Sequence, residues 1–106
     1  MNEAEQQIMG LISSAGESRA KAFQALQAAR KRDYDAAHAF LKEAATVDVE
    51  AHNIQTQLIQ AELSEGGDKP EINLLMVHAQ DHYMTAQLAR DLVEEMILIL
   101  EDRDKE

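Results

Sequence analysis

The chain has 106 residues, no cysteine, and twenty acidic against ten basic side chains for a formal net charge of −10. That length suits one domain over residues 1–106 with a single core, and the missing thiols exclude disulfides, thiolate zinc sites and cysteine nucleophiles. The acidic balance repels phosphate backbones and anionic lipid, so nucleic acid is not an expected partner, and without an apolar run long enough to cross a bilayer or serve as a leader a cytoplasmic protein is expected.

Four glycines and one proline punctuate the chain into three helices, predicted near residues 3–29, 34–64 and 70–102. β structure has little support, and short connections make the expected fold an all-α antiparallel three-helix bundle. In the first helix Ile8, Ile12, Ala15, Ala22, Leu26 and Ala29 form an apolar seam, with Gly16 placed to let a neighbouring helix approach closely. Arg19 falls in that seam. Its ordinary reading is a snorkelling side chain, with anion binding as the alternative. Lys31 to Asp33 form a turn in which Asp33 is an N-cap for the next helix.

The second helix carries a main seam of Ala37, Leu41, Ala44, Val47, Ala51, Ile54, Leu58 and Ala61. A second line through Ala45, Val49, His52, Thr56, Ile59 and Leu63 puts His52 on or near a buried surface, where a hydrogen-bonded boundary role is the ordinary one. His38 has no functional reading. Residues 65–70 form the second turn, and Asp68 with Glu71 has the spacing of a capping box.

The third helix is apolar over roughly 200°, wider than the stripe of about 100° that a solvent-facing helix needs. The line Leu75, Ala79, His82, Ala86, Ala89, Val93, Met96, Leu100 suits packing inside the subunit. The line Leu74, Val77, Asp81, Met84, Leu88, Leu92 then meets its own copies in a homo-oligomer. Asp81, His78 and His82 are ionisable groups lying inside this apolar arc, which marks a functional site or a specificity device. Copies of Asp81 converging on a symmetry axis would repel. Either a divalent cation such as Mg²⁺ balances them, or a shared proton or ordered water does.

His78 and His82 have the i, i+4 spacing of zinc ligands, but Ala79 stands where a zincin carries glutamate and no third ligand is evident. The other role for such a histidine is nucleophilic, with a neutral imidazole accepting a phosphoryl group while a neighbour such as Gln80, Asp81 or His82 fixes its tautomer. No glycine-rich phosphate loop or P-loop lysine is present.

The stretch Val77-His78-Ala79-Gln80-Asp81-His82-Tyr83-Met84-Thr85 resembles the motif of the IIA component of the lactose and cellobiose/diacetylchitobiose class of the phosphoenolpyruvate-dependent sugar phosphotransferase system. Supporting matches are Met9-Gly10-Leu11-Ile12, Ala15-Gly16-Glu17-Ser18-Arg19, Glu50-Ala51-His52 and Gln55-Thr56, so the resemblance covers nearly the whole chain. It implies a helical homotrimer that takes a phosphoryl group from HPr and passes it to a cysteine of the cognate IIB component, linked in turn to the membrane IIC component. It also implies that His78 is the phosphorylated residue and that Asp81 from each subunit holds one Mg²⁺ per trimer. Supporting roles for His82 and Gln80 are inferred from their neighbourhood. Tyr83 stands where leucine is common, and the helical projection places it away from the apolar arc. The competing readings are an adaptor bundle that has lost phosphotransfer and a small metalloprotein using His78 and His82. The transported sugar is not legible, because a IIA component handles phosphate and protein surfaces.

Overall fold

The computed structural model describes residues 1–67 and 69–106. Three long helices follow one another, α1 (Glu3–Arg30), α2 (Tyr34–Leu63) and α3 (Leu74–Asp104), in a rod of 59 × 23 × 20 Å. Each begins where a short polar side chain can satisfy an orphan backbone N–H. Asn2 accepts from the Glu5 N–H at 2.8 Å, Asp33 from Ala36 at 3.1 Å and Asn73 from Met76 at 3.0 Å.

The first turn is tight. The N–H groups of Lys31, Arg32 and Asp33 return to the carbonyls of Ala28 and Ala29, and Arg32 takes a left-handed φ of 63°. The second connection uses Gly66 and Gly67, both at positive φ, where a side chain would be strained. The third helix begins at Leu74 rather than near residue 70, because Asn73 in an extended conformation supplies the cap. The capping box expected from Asp68 involves a residue outside those described.

α1 is the shared partner of the other two helices, which touch each other least. It therefore buries two adjacent lines, adding Leu11 and Ala25 to the seam of Ile8, Ala15, Ala22 and Ala29, while Ile12 and Leu26 are half-buried. The core falls in two parts. Near the start of α3, Ile8, Leu11, Ala51, Leu58, Met76, Ala79, Tyr83 and Ala86 pack together, and toward its end Ala22, Ala25, Ala29, Ala37, Val93 and Ile97 do so. Alanines at these crossings let the backbones approach, and fully burying a side chain such as Leu11 or Ile97 contributes about 2 kcal/mol.

A polar belt divides the two apolar parts. Ser18 donates its hydroxyl to the Ala44 carbonyl at 3.0 Å, and Arg90 pairs with Asp48 at 3.3 Å across α3 and α2. At the far end the Tyr34 hydroxyl donates to Asp104, and His38 lies 3.1 Å from both Glu101 carboxylate oxygens, tying the start of α2 to the end of α3.

The inward face of α3 is rotated from the sequence expectation. Met76, Ala79, Tyr83, Ala86, Val93 and Ile97 are buried, whereas Met96 and Leu100 are exposed. Tyr83 is 2 % exposed, so its placement outside the apolar arc is corrected. Its ring fills the space that the small residues Ala15, Ala51 and Ala79 leave, and its hydroxyl reaches the polar belt. The line through Leu74, Val77, Met84, Leu88 and Leu92 lies on the outside of the bundle, with Leu74 at 83 % and Met84 at 60 % exposure.

Candidate functional site

The first three turns of α3 carry the ionisable residues singled out in the sequence, and the structure sorts them onto different faces. His78 and His82, one turn apart, stack with ring centroids 5.8 Å apart and planes 14° from parallel. His78 is exposed and lines an open recess with Leu74 and Leu75. Such an imidazole is accessible to an incoming reactant.

His82 sits deeper. Its Nε2 lies 3.2 Å from where a Cβ on Gly16 would stand, so the ring rests against α1 in the space that the glycine leaves. Burial, then the positive charge of Arg19, then His78, lower its proton affinity below the ordinary imidazole value of 6.5. His82 is therefore a neutral ring at neutral pH, able to donate one hydrogen bond and accept another.

Gln80 turns the other way. Its side-chain oxygen accepts from Gln55 Nε2 at 2.9 Å, and its amide nitrogen faces the Met76 sulfur at 3.9 Å, so it braces α3 against α2 and does not join the stacked imidazoles. Asp81 is exposed on the outer face beside the apolar line, and among the described residues it makes no hydrogen bond to either ring.

The Mg²⁺ expected at Asp81 is corrected. Among the described residues no group of three or more His, Cys, Asp or Glu side chains comes together that could hold a metal ion. Asp81 is exposed in the single chain, and no second and third ligand gather around it among the described residues. The metal-binding role of Asp81 and the Mg²⁺ cofactor are set aside, and the paired imidazoles of His78 and His82 likewise fall short of a zinc ligand set.

The sequence reading missed two features. Tyr83 joins its hydroxyl to His52 Nδ1 at 3.2 Å, with Gln87 Nε2 at 3.5 Å on the same oxygen, so His52 is a hydrogen-bonded boundary residue that holds α2 to α3. Burial, then the Asp48 carboxylate, push the Tyr83 phenol above its usual range and keep it protonated. The Asp48–Arg90 pair was also unmarked. Its signal was present, because Ala37, Ala44, Ala51 and Leu58 recur at seven-residue intervals and Asp48 falls one turn after Ala44 on that buried stripe.

The class defined by fold and site is an all-α three-helix bundle with a stacked imidazole pair near the start of its third helix, one ring of it exposed. The profile of the family described as the lactose/cellobiose-specific IIA subunit of the phosphotransferase system matches residues 6–101. The diacetylchitobiose-specific EIIA component of Escherichia coli K12 is 43 % identical over 95 residues, covering 90 % of this chain and 80 % of that protein. The lichenan-specific IIA component of Bacillus subtilis is 43 % identical over 99 residues, covering 93 % and 88 %. The cellobiose-specific enzyme IIA of Bacillus anthracis superposes with a TM-score of 0.93 at 37 % identity, covering all of this chain (100 %) and 95 % of that one. The chitobiose IIA solved in complex with HPr gives 0.84 at 38 % identity, covering 98 % and 99 %. The chain belongs to the lactose/cellobiose-specific IIA family of the phosphotransferase system. It is a phosphotransferase component, a phosphocarrier that relays a phosphoryl group through a histidine to IIB. No helix among the described residues is long and apolar enough to cross a membrane.

Proposed function

We propose that His78 is the histidine that carries the phosphoryl group, taken from phospho-HPr and handed to a cysteine of the IIB component. The observation that carries this assignment is the accessible His78 imidazole stacked on a half-buried, neutral His82. A lone pair on one His78 ring nitrogen attacks the phosphorus of the donor phosphohistidine. The new N–P bond forms as the donor N–P bond breaks. The proton on the other His78 nitrogen is released to solvent, and the departing donor imidazole takes one up. In the second transfer the cysteine thiolate attacks the same phosphorus, the S–P bond forms as the His78 N–P bond breaks, and the departing His78 imidazole takes up a proton from solvent. His82 lies on the stack beneath, placed to donate a hydrogen bond to the phosphoryl oxygens, while Gln80 acts at one remove by fixing α3 on α2.

The donor and acceptor must each reach one imidazole, so they use overlapping surfaces in turn, and such relays favour small, rapidly released interfaces. A relative of this chain has been solved as an HPr complex, which supports the donor assignment. The exposed apolar line Leu74, Val77, Met84, Leu88 and Leu92 supports assembly through α3, and a homotrimer is the proposed state. The proposed system serves a lactose, cellobiose or chitobiose type of sugar on the cytoplasmic side of the IIC component. Residues 1–106 act as a single unit in this reading.

The test is incubation with phosphoenolpyruvate, enzyme I and HPr. Wild-type protein gains an acid-labile, alkali-stable phosphate and His78→Ala gains none. Uptake by His78→Ala at the normal rate would overturn the assignment.

A further inference from the structure

We propose that Gly16 of α1 is a positioning residue for phosphoryl transfer at His78, acting on it through His82; the inference rests on the assignment of His78 made above. A Cβ at position 16 would stand 3.2 Å from His82 Nε2, closer than ordinary van der Waals contact, so the glycine is what lets the ring seat against α1. Glycine inside a helix weakens it relative to alanine. Position 16 lies in the middle of α1 and makes no turn, so what the glycine supplies there is the seat itself.

Arg19 follows one turn later on the same helix. The charged or titratable groups that reach His82 are Arg19 from α1 and His78 from α3 itself; among the described residues α2 presents none. Together with burial, they hold the ring neutral.

The stacking makes this matter for His78. With the two rings 5.8 Å apart and nearly parallel, whatever fixes His82 fixes the surface on which the His78 imidazole and its phosphoryl group rest. A neutral ring gives the phosphoryl dianion a hydrogen bond without the added attraction of a full positive charge. A carrier that must release its cargo to the next protein benefits from that weaker hold.

Relay from phospho-HPr to IIB is measured for wild type, Gly16→Ala and His78→Ala, with thermal melts and NMR spectra of the imidazoles. Gly16→Ala should melt no lower than wild type, because the added methyl meets only the far end of a flexible side chain. It should nevertheless relay about tenfold more slowly, since small misplacements near reacting groups are costly, with the His82 ring resonances displaced. A wild-type relay rate and unchanged His82 resonances in Gly16→Ala, with His78→Ala inactive, would overturn this inference alone. Phosphate uptake by His78→Ala would overturn the reading beneath it as well.

Discussion

His82 links folding to pH through a simple asymmetry. Its proton affinity in the folded state is lowered, first by burial and then by Arg19 and His78, relative to the ordinary value of 6.5. The stability it contributes is therefore complete above the unfolded value and is lost as pH falls from 6.5 toward the lower folded value. Melting temperature measured across mildly acidic pH should decline more steeply for wild type than for His82→Gln; identical slopes would refute this. Tyr83 and His52 make the contrasting case of polar residues whose hydrogen bond joins α2 to α3. Tyr83→Phe removes the hydroxyl bonded to His52 Nδ1 and should cost about 1 kcal/mol in denaturant unfolding. His52→Ala should still accept phosphate at close to the wild-type rate.

Asp48 and Arg90 set the relation between α2 and α3 at the level of whole helices. Among the described residues the Arg90 Nε is buried without a partner, and the guanidinium is neutralised by Asp48 at 3.3 Å and by the more exposed, better solvated Asp91 at 3.6 Å, so Asp48 supplies the stronger share. Asp48→Ala should destabilise the bundle by about 3 kcal/mol, and replacing both residues with apolar ones of similar volume should recover most of that loss. Chemical denaturation of the single and double variants checks this; equal loss in both would refute it. The pair also shows where sequence patterning stops being informative. Three helices were legible because glycine, proline and apolar spacing agree with one another. The rotation of α3 was not, because an arc of roughly 200° holds two usable faces and spacing alone does not say which one turns inward. Tyr83 decided the matter by fitting among Ala15, Ala51 and Ala79, a fact of volumes on three helices rather than of one helix's period. The site divided likewise. The four-residue spacing of His78 and His82 put both rings on one side, but Gly16 as the seat of His82 and Gln80 turned toward Gln55 depend on neighbouring helices. The start of α3 was misplaced because Asn73 offers a better cap than proximity to Pro70 suggests.

The molecule as a whole presents an apolar stripe along α3 and an acidic surface elsewhere, and the two lead to different expectations. Leu88, 59 % exposed on the stripe, should be decisive for assembly. Leu88→Asp should yield monomers in analytical ultracentrifugation, whereas Asp81→Leu extends the apolar line and should leave the assembly intact or tighter. An unchanged sedimentation profile for Leu88→Asp would remove α3 as the contact. The net charge of −10 implies steering toward basic partner surfaces, so added salt should slow association with the phosphoryl donor. In the proposed function the bundle holds the accessible His78 imidazole on a rigid helix with the space in front of it open to two successive proteins. The most direct test of that account is to phosphorylate the wild-type chain through phospho-HPr and locate the phosphate by mass spectrometry of peptides kept at alkaline pH. The phosphate should be found on His78 alone; finding it on His38, His52 or His82 would contradict the account.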